Sequence, residues 1–227
     1  MITAVLTLLA PALAVAMLVL TLILAKGDIC PGQRGRIHKL LPAMGILWLA
    51  IASLRIEAFL VVFALFFFYS KVQTGKTREK GPFWALHLAN GMAMTFSVIL
   101  IAQQPNLAQS LSLASAGLLL GAAFAHLLLT MAKTRLQAFH RILPVSGVVF
   151  AMLLALSFVF NAYQWEPEVV ANYTPAVIIS LLMLMAGIVI WSWHIIRHQA
   201  PAKGQLAVAF LSLLVTNIGL LQLYWLA

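Results

Sequence analysis

The stretch LLPAMGILWLAIASLRIEAFLVVFALFFFYS, residues 40–70, decides the architecture, because it reads either as one long tilted helix or as two short ones. Only Arg55 and Glu57 interrupt it. A membrane crossing takes about 20 apolar residues, within a range of about 17 to 25, so each half is short and the whole is long. The bases around the stretch break the tie. Lys26, Arg34, Arg36 and Lys39 precede it, Lys71, Lys76, Arg78 and Lys80 follow it, and Lys133, Arg135 and Arg141, then Arg197 and Lys203, form two later clusters. If residues 40–71 cross twice, all four clusters share one side and Arg55 alone lies opposite. A single crossing sets the first cluster against the other three, contrary to the positive-inside bias.

Working outward, apolar segments fall at 2–25, 40–54, 56–71, 83–103, 108–132, 143–163, 174–196 and 205–226. The expected fold is therefore an all-α integral membrane protein of eight transmembrane helices, with both termini outside and the basic loops cytoplasmic. The first segment has no base before it and runs for about 24 residues, longer than the 7 to 15 of a signal-peptide core. It reads as a retained span. Composition agrees: 63% of residues are hydrophobic and 8% charged, whereas soluble domains carry roughly 25% charge. A net charge of +9 suggests nucleic acid in a soluble protein, but bases clustered between apolar runs point to anionic headgroups instead. The expected partners are the lipid bilayer, those headgroups and a membrane protein partner, with no nucleic acid. The setting that fits is a bacterial inner membrane.

An echo organises the chain further. His38-Lys39-Leu40-Leu41-Pro42-Ala43-Met44-Gly45 returns as His140-Arg141-Ile142-Leu143-Pro144-Val145-Ser146-Gly147. Each copy places a proline in the first turn of a new apolar helix, where its missing N–H costs nothing. Lys80-Gly81-Pro82 and Lys203-Gly204-Gln205 form a weaker second echo. The chain thus divides into two parallel four-helix pseudo-repeats, 1–103 and 104–227. Parallel repeats are one of the recurrent transporter plans.

An ionisable residue at membrane depth is costly and by default functional. Asp28, Glu57, Glu79, Glu166 and Glu168 all map to loops or their edges, which argues against proton-coupled antiport and paired-carboxylate hydrolysis. Histidines remain. His38, His140 and His198 map to basic loops or helix ends and read as interfacial imidazoles. His87 and His126 each stand seven residues from a boundary base, about 10 Å along their helices. With His194, which forms an i, i+4 pair with His198, they are the candidate cofactor ligands, for b-type haem above all. The competing reading gives them hydrogen bonds within the bundle, His87 with Asn90 and His126 near Thr130.

A modestly polar face on the even-numbered helices, with Asn90, Asn161, Thr216 and Asn217 as candidate substrate contacts, suits a neutral or weakly polar solute. Three functions follow: a small-solute transporter or channel-like protein, a haem-binding or redox protein using His87 and His126, or a non-catalytic subunit or assembly factor. Gly117-Leu118-Leu119-Leu120-Gly121 marks a close helix approach, with packing inside the bundle as the default. Tyr69, Trp84, Trp191, Trp193, Tyr163, Trp165, Tyr173, Tyr224 and Trp225 fall near span ends and read as interface anchors.

Overall fold

The computed structural model describes residues 2–72, 81–134 and 136–226, and the side chains of these up to 223. Lys76, Arg78, Glu79, Lys80 and Arg135, and the side chains of Tyr224 and Trp225, lie outside the described residues. The helices are α1 (Ile2–Lys26), α2 (Pro31–His38), α3 (Leu41–Ala52), α4 (Phe59–Lys71), α5 (Phe83–Ala102), α6 (Leu107–Met131), α7 (Gln137–Ala162), α8 (Pro167–Ile196) and α9 (Lys203–Leu226), with a 3₁₀ turn at Ile56–Ala58. No strand occurs among the described residues.

Among the described residues six helices, α1 and α5 to α9, are long and apolar enough to cross a membrane. The 40–70 stretch breaks at Ser53–Arg55, so it is not one long helix. Its halves, α3 and α4, have 12 and 13 residues and pack on each other as a hairpin. At about 1.5 Å per residue each reaches about 18–20 Å, short of a hydrocarbon core about 30 Å thick. The turn forms where Arg55 leaves helical geometry, at φ −134° and ψ 99°.

The core forms along α1 and α6, the two most buried of the long helices. They meet through the small residues of α6: a Cβ on Gly117 would lie 2.6 Å from Pro11 Cβ, and one on Gly121 would lie 2.5 Å from Val15 Cβ. The seam is internal, as the GxxxG spacing suggested. Around it, α1 also packs on α3 and α5, while α6 also packs on α7 and α9. The hairpin α3–α4 contacts α5 through α4, and α8 lies between α7 and α9.

Polar ties mark the two ends of the bundle. At the basic end Arg36 Nε donates to the Ala132 carbonyl (2.6 Å) and its Nη2 to that of Lys133 (3.3 Å). These are terminal carbonyls of α6, the negative end of its dipole. The first and third basic loops therefore share one face. At the other end Arg55 donates to Gln103 Oε1 (3.1 Å), and Asn106 Nδ2 to Asn161 Oδ1 (3.1 Å).

Two edge assignments need correction. His38 is fully buried, because α2 is a separate helix whose inner face, Gln33, Gly35, Ile37 and His38, turns into the bundle. Trp191 is 1% exposed rather than an interface anchor. The reason is Gly147: a Cβ there would occupy the space of the indole ring, so the missing side chain seats Trp191 against α7.

Candidate functional sites: a histidine cluster and a lipid-facing slot

Three helices bring imidazoles together at the basic end. His126 lies in the last turns of α6, His140 in the first turn of α7, and His194 in the last turn of α8, one turn beyond Trp191. The His126 ring centroid is 5.1 Å from that of His140 and 5.3 Å from that of His194. Trp191 Nε1 lies 2.9 Å from His126 Nδ1, and His126 Nε2 lies 3.0 Å from His140 Nδ1. Indole only donates, so His126 accepts at Nδ1, carries its hydrogen on Nε2 and donates it to His140. The polarity of the chain is fixed by the tryptophan. Each such interhelical bond in a membrane bundle contributes about 0.6 kcal/mol on average and up to about 1.7.

Both nitrogens of His126 are engaged within the protein, and among the described residues no group of three metal-ligating side chains has the geometry to hold an ion. His126 makes a bond of the internal kind expected, though with His140 and Trp191; Thr130 instead donates to the His126 carbonyl (2.9 Å). The His194–His198 pair does not form a face, because α8 ends at Ile196 and His198 is exposed with a positive φ of 51°.

His87 lies elsewhere. It is exposed on α5 and stacks loosely on Phe83, at 6.4 Å between centroids. It lines a slot of about 480 Å³ between α4, the 3₁₀ turn and α5, together with Leu60, Gly91, Met92, Phe96 and, toward the far end, Glu57. Ligand sites usually span about 300–1,000 Å³ and are mostly apolar. Nothing lies within 4 Å of where a Cβ on Gly91 would be, so the α5 backbone is open to the slot. Asn90 does not pair with His87. Its Nδ2 donates to Thr21 Oγ1 and to the Leu86 carbonyl, each at 2.7 Å.

The four polar candidates for a solute path occupy three separate places. Asn90 faces α1, Asn161 bonds Asn106 at the end opposite the basic one, and Thr216 and Asn217 bond the carbonyls of Ser212 and Leu213 on their own helix. Asn217 borders a void of about 10 Å³, room for one water at most. Asn90 Oδ1 and Asn217 Oδ1 are buried without partners among the described residues.

His38 completes the inventory. Its ring meets Phe68 edge-on, at 5.5 Å and 77°, and neither nitrogen has a partner among the described residues. Burial, and then the neighbouring Arg34 guanidinium, push it down to about 4. It is a neutral core imidazole.

The sequence marked His140 as an interfacial imidazole and Trp191 as an interface anchor, and neither reading holds: His140 turns toward His126 and its carbonyl toward His194, and Trp191 is buried against His126. Two signals were present: Trp191 and His194 stand three apart on one helix face, and the residue that seats Trp191 is the Gly147 of the echo.

Comparison with known proteins places this architecture in context. The sequence profile of a family described as "integral membrane domain" matches residues 2–222. A protein of Haemophilus influenzae, described only as an uncharacterized protein, is 29% identical over 153 residues. The alignment covers 63% of this chain and 57% of that relative, so the chain matches little more than half of the relative's length. No solved structure matches.

Proposed function

We propose, for a chain that belongs to the integral membrane domain family, that the slot between α4 and α5 receives b-type haem from the lipid phase with His87 as its iron ligand, making the protein a haem-handling component of the membrane. The observation that carries this is His87 itself. An imidazole at membrane level with no hydrogen bond among the described residues is costly, and this one opens into a mostly apolar slot beside a bare glycine backbone. The donor fits, since an imidazole is an ordinary haem ligand. Bound haem would supply one-electron iron chemistry. The chain's own residues bind and orient: Leu60, Leu88 and Phe96 give the slot apolar walls, and Gly91 lets a flat ring approach α5. His126 and His194 serve the bundle rather than the ligand. Sites of this reading are thus narrower than the pair of histidines on α5 and α6.

The test is a visible spectrum of protein purified from haem-replete membranes. A Soret band is expected in the wild type, lost or reduced at least tenfold in His87→Ala and retained in His126→Leu. A colourless wild-type protein overturns the reading.

The topology proposed with it has eight crossings in two parallel halves, basic face cytoplasmic, in a bacterial inner membrane, with the bilayer thinned around the short hairpin α3–α4. Arg36 on the terminal carbonyls of α6 supports an even number of crossings between the first and third basic loops. The packing pattern supports the repeat: α1, α3, α4 and α5 contact in a ring, as do α6, α7, α8 and α9. Gly45 and Gly147 play like parts, the first giving way to Phe66 of α4 and the second to Trp191 of α8. The bacterial relative supports the setting.

A further inference from the structure

The slot between α4 and α5 has opposite charges at its two ends. Glu57, exposed, lines it at the far end. At the basic end α4 finishes at Lys71, whose ammonium lies 5.6 Å from the centroid of the Phe67 ring. Phe67 in turn packs on Trp84, at 5.4 Å between centroids. Trp84, His87, Gly91 and Thr95 are spaced three, four and four residues apart, so they follow one another along a single face of α5. Lys71 therefore stands by an aromatic pair one turn beyond His87, just past the lining residues on that side. Arg55, the base near the far end, is turned to Gln103.

This polarity bears on any ligand with acidic groups, and haem carries two propionates on one edge of its ring. Resting on the reading of His87 as the iron ligand, we propose that haem lies in the slot with its propionate edge toward the basic end, and that Lys71 is the residue that recognises the free carboxylates.

Depth decides the orientation. His87 is four residues into α5, about 6 Å along the axis from Phe83, whereas Ile99 at the other end of the slot is twelve residues, about 18 Å, away. Propionates turned toward the basic end leave the hydrocarbon near the start of α5 and meet an ammonium there. Turned the other way they lie beside Gly91, Met92, Thr95 and Phe96, where no lining residue is basic, and face Glu57 beyond. A carboxylate at that depth is expensive and needs a partner. The Phe67 ring holds the Lys71 ammonium by its quadrupole, which keeps the cation at the mouth of the slot. A charge-assisted bond from it to a carboxylate is roughly twice as strong as a neutral one. Iron ligand, bare glycine backbone and ammonium thus lie along one line and fix which way the ring points. They also fix the side: haem is exchanged with the leaflet on the basic face.

Titration of the purified protein in lipid nanodiscs with haemin and with haemin dimethyl ester, read by the Soret band against a His87→Ala background, tests this. The wild type should bind both, haemin the more tightly. Lys71→Glu should weaken haemin by about tenfold or more and leave the dimethyl ester unchanged, a difference that loss of folding cannot produce. Arg197→Glu, which reverses a base at the end of α8, should change neither. Unchanged haemin affinity in Lys71→Glu overturns the orientation and leaves His87 as the ligand. Equal weakening of both porphyrins by Lys71→Glu, or of haemin by Arg197→Glu as much as by Lys71→Glu, overturns it as well. No Soret band with either porphyrin overturns the reading at His87, and this inference with it.

Discussion

The corners around His38 and His140 begin from the same string of residue types and end in opposite chemistry. His140 accepts from His126 and lends its carbonyl to His194. His38 lies against Phe68 with neither nitrogen partnered among the described residues. The difference comes from the neighbours. Helices α6 and α8 bring His126, Trp191 and His194 to one corner, whereas α4 brings Phe66 and Phe68 to the other. A repeated entry signal thus fixes where a helix begins and leaves the chemistry of that place to whatever packs on it.

Glycine substitutions give the largest break in the comparison. Both Gly147→Val and Gly45→Val overpack a helix contact, which alone costs about 1–3 kcal/mol. Gly147→Val also pushes Trp191 off His126, so its thermal midpoint in detergent should fall further than that of Gly45→Val. Equal losses would mean that the indole–imidazole bond contributes nothing.

His126→Leu comes next. It leaves the indole N–H and His140 Nδ1 without partners, a loss of about 1–3 kcal/mol, readable as a lower thermal midpoint in detergent.

The smallest effect is at His38. At neutral pH His38→Phe breaks no side-chain hydrogen bond and should change stability by under about 1 kcal/mol. Acid separates it from the wild type. Folded His38 titrates at about 4 and an unfolded histidine at about 6.5, so between those values the unfolded chain binds more protons. Stability is whole above about pH 6.5 and is lost as pH falls toward 4. His38→Phe should flatten that slope by on the order of 1.4 kcal/mol for each unit of the gap. An unchanged slope would show that the ring is not buried as a neutral base.

The all-α membrane class was legible because hydropathy acts over whole segments, whereas of the eight crossings expected only six helices among the described residues are long and apolar enough to span. Leu40–Ser70 breaks where Arg55 interrupts it, but into helices of 12 and 13 residues rather than the two full-length spans expected, and Gly117 and Gly121 declared the seam on α6 by spacing alone. The candidate sites were legible only in part. His126 and His194 were singled out and do meet, but as partners in a hydrogen-bonded cluster, and His87 was separated from them. Which face of a helix meets which neighbour depends on rotation about its axis, and a uniformly apolar sequence encodes that rotation weakly. His140 was hidden for this reason, since an interfacial and an inward-facing first turn read alike. Asn90 and Asn217 show the same limit: each turned inward, and each spends its amide nitrogen on the carbonyl four residues back.

The seam between α1 and α6 bears on the order in which the bundle is made. Helix α1 is followed in the chain by four helices before the one that covers its Pro11–Val15 surface emerges. Until then that surface faces lipid or the half-built neighbours α3 and α5. Synthesis of Gly117 and Gly121 is therefore the step at which α1 passes from a lipid-exposed helix to an enclosed one, and a chain halted after Ala102 would display the missing seam as an unfilled groove.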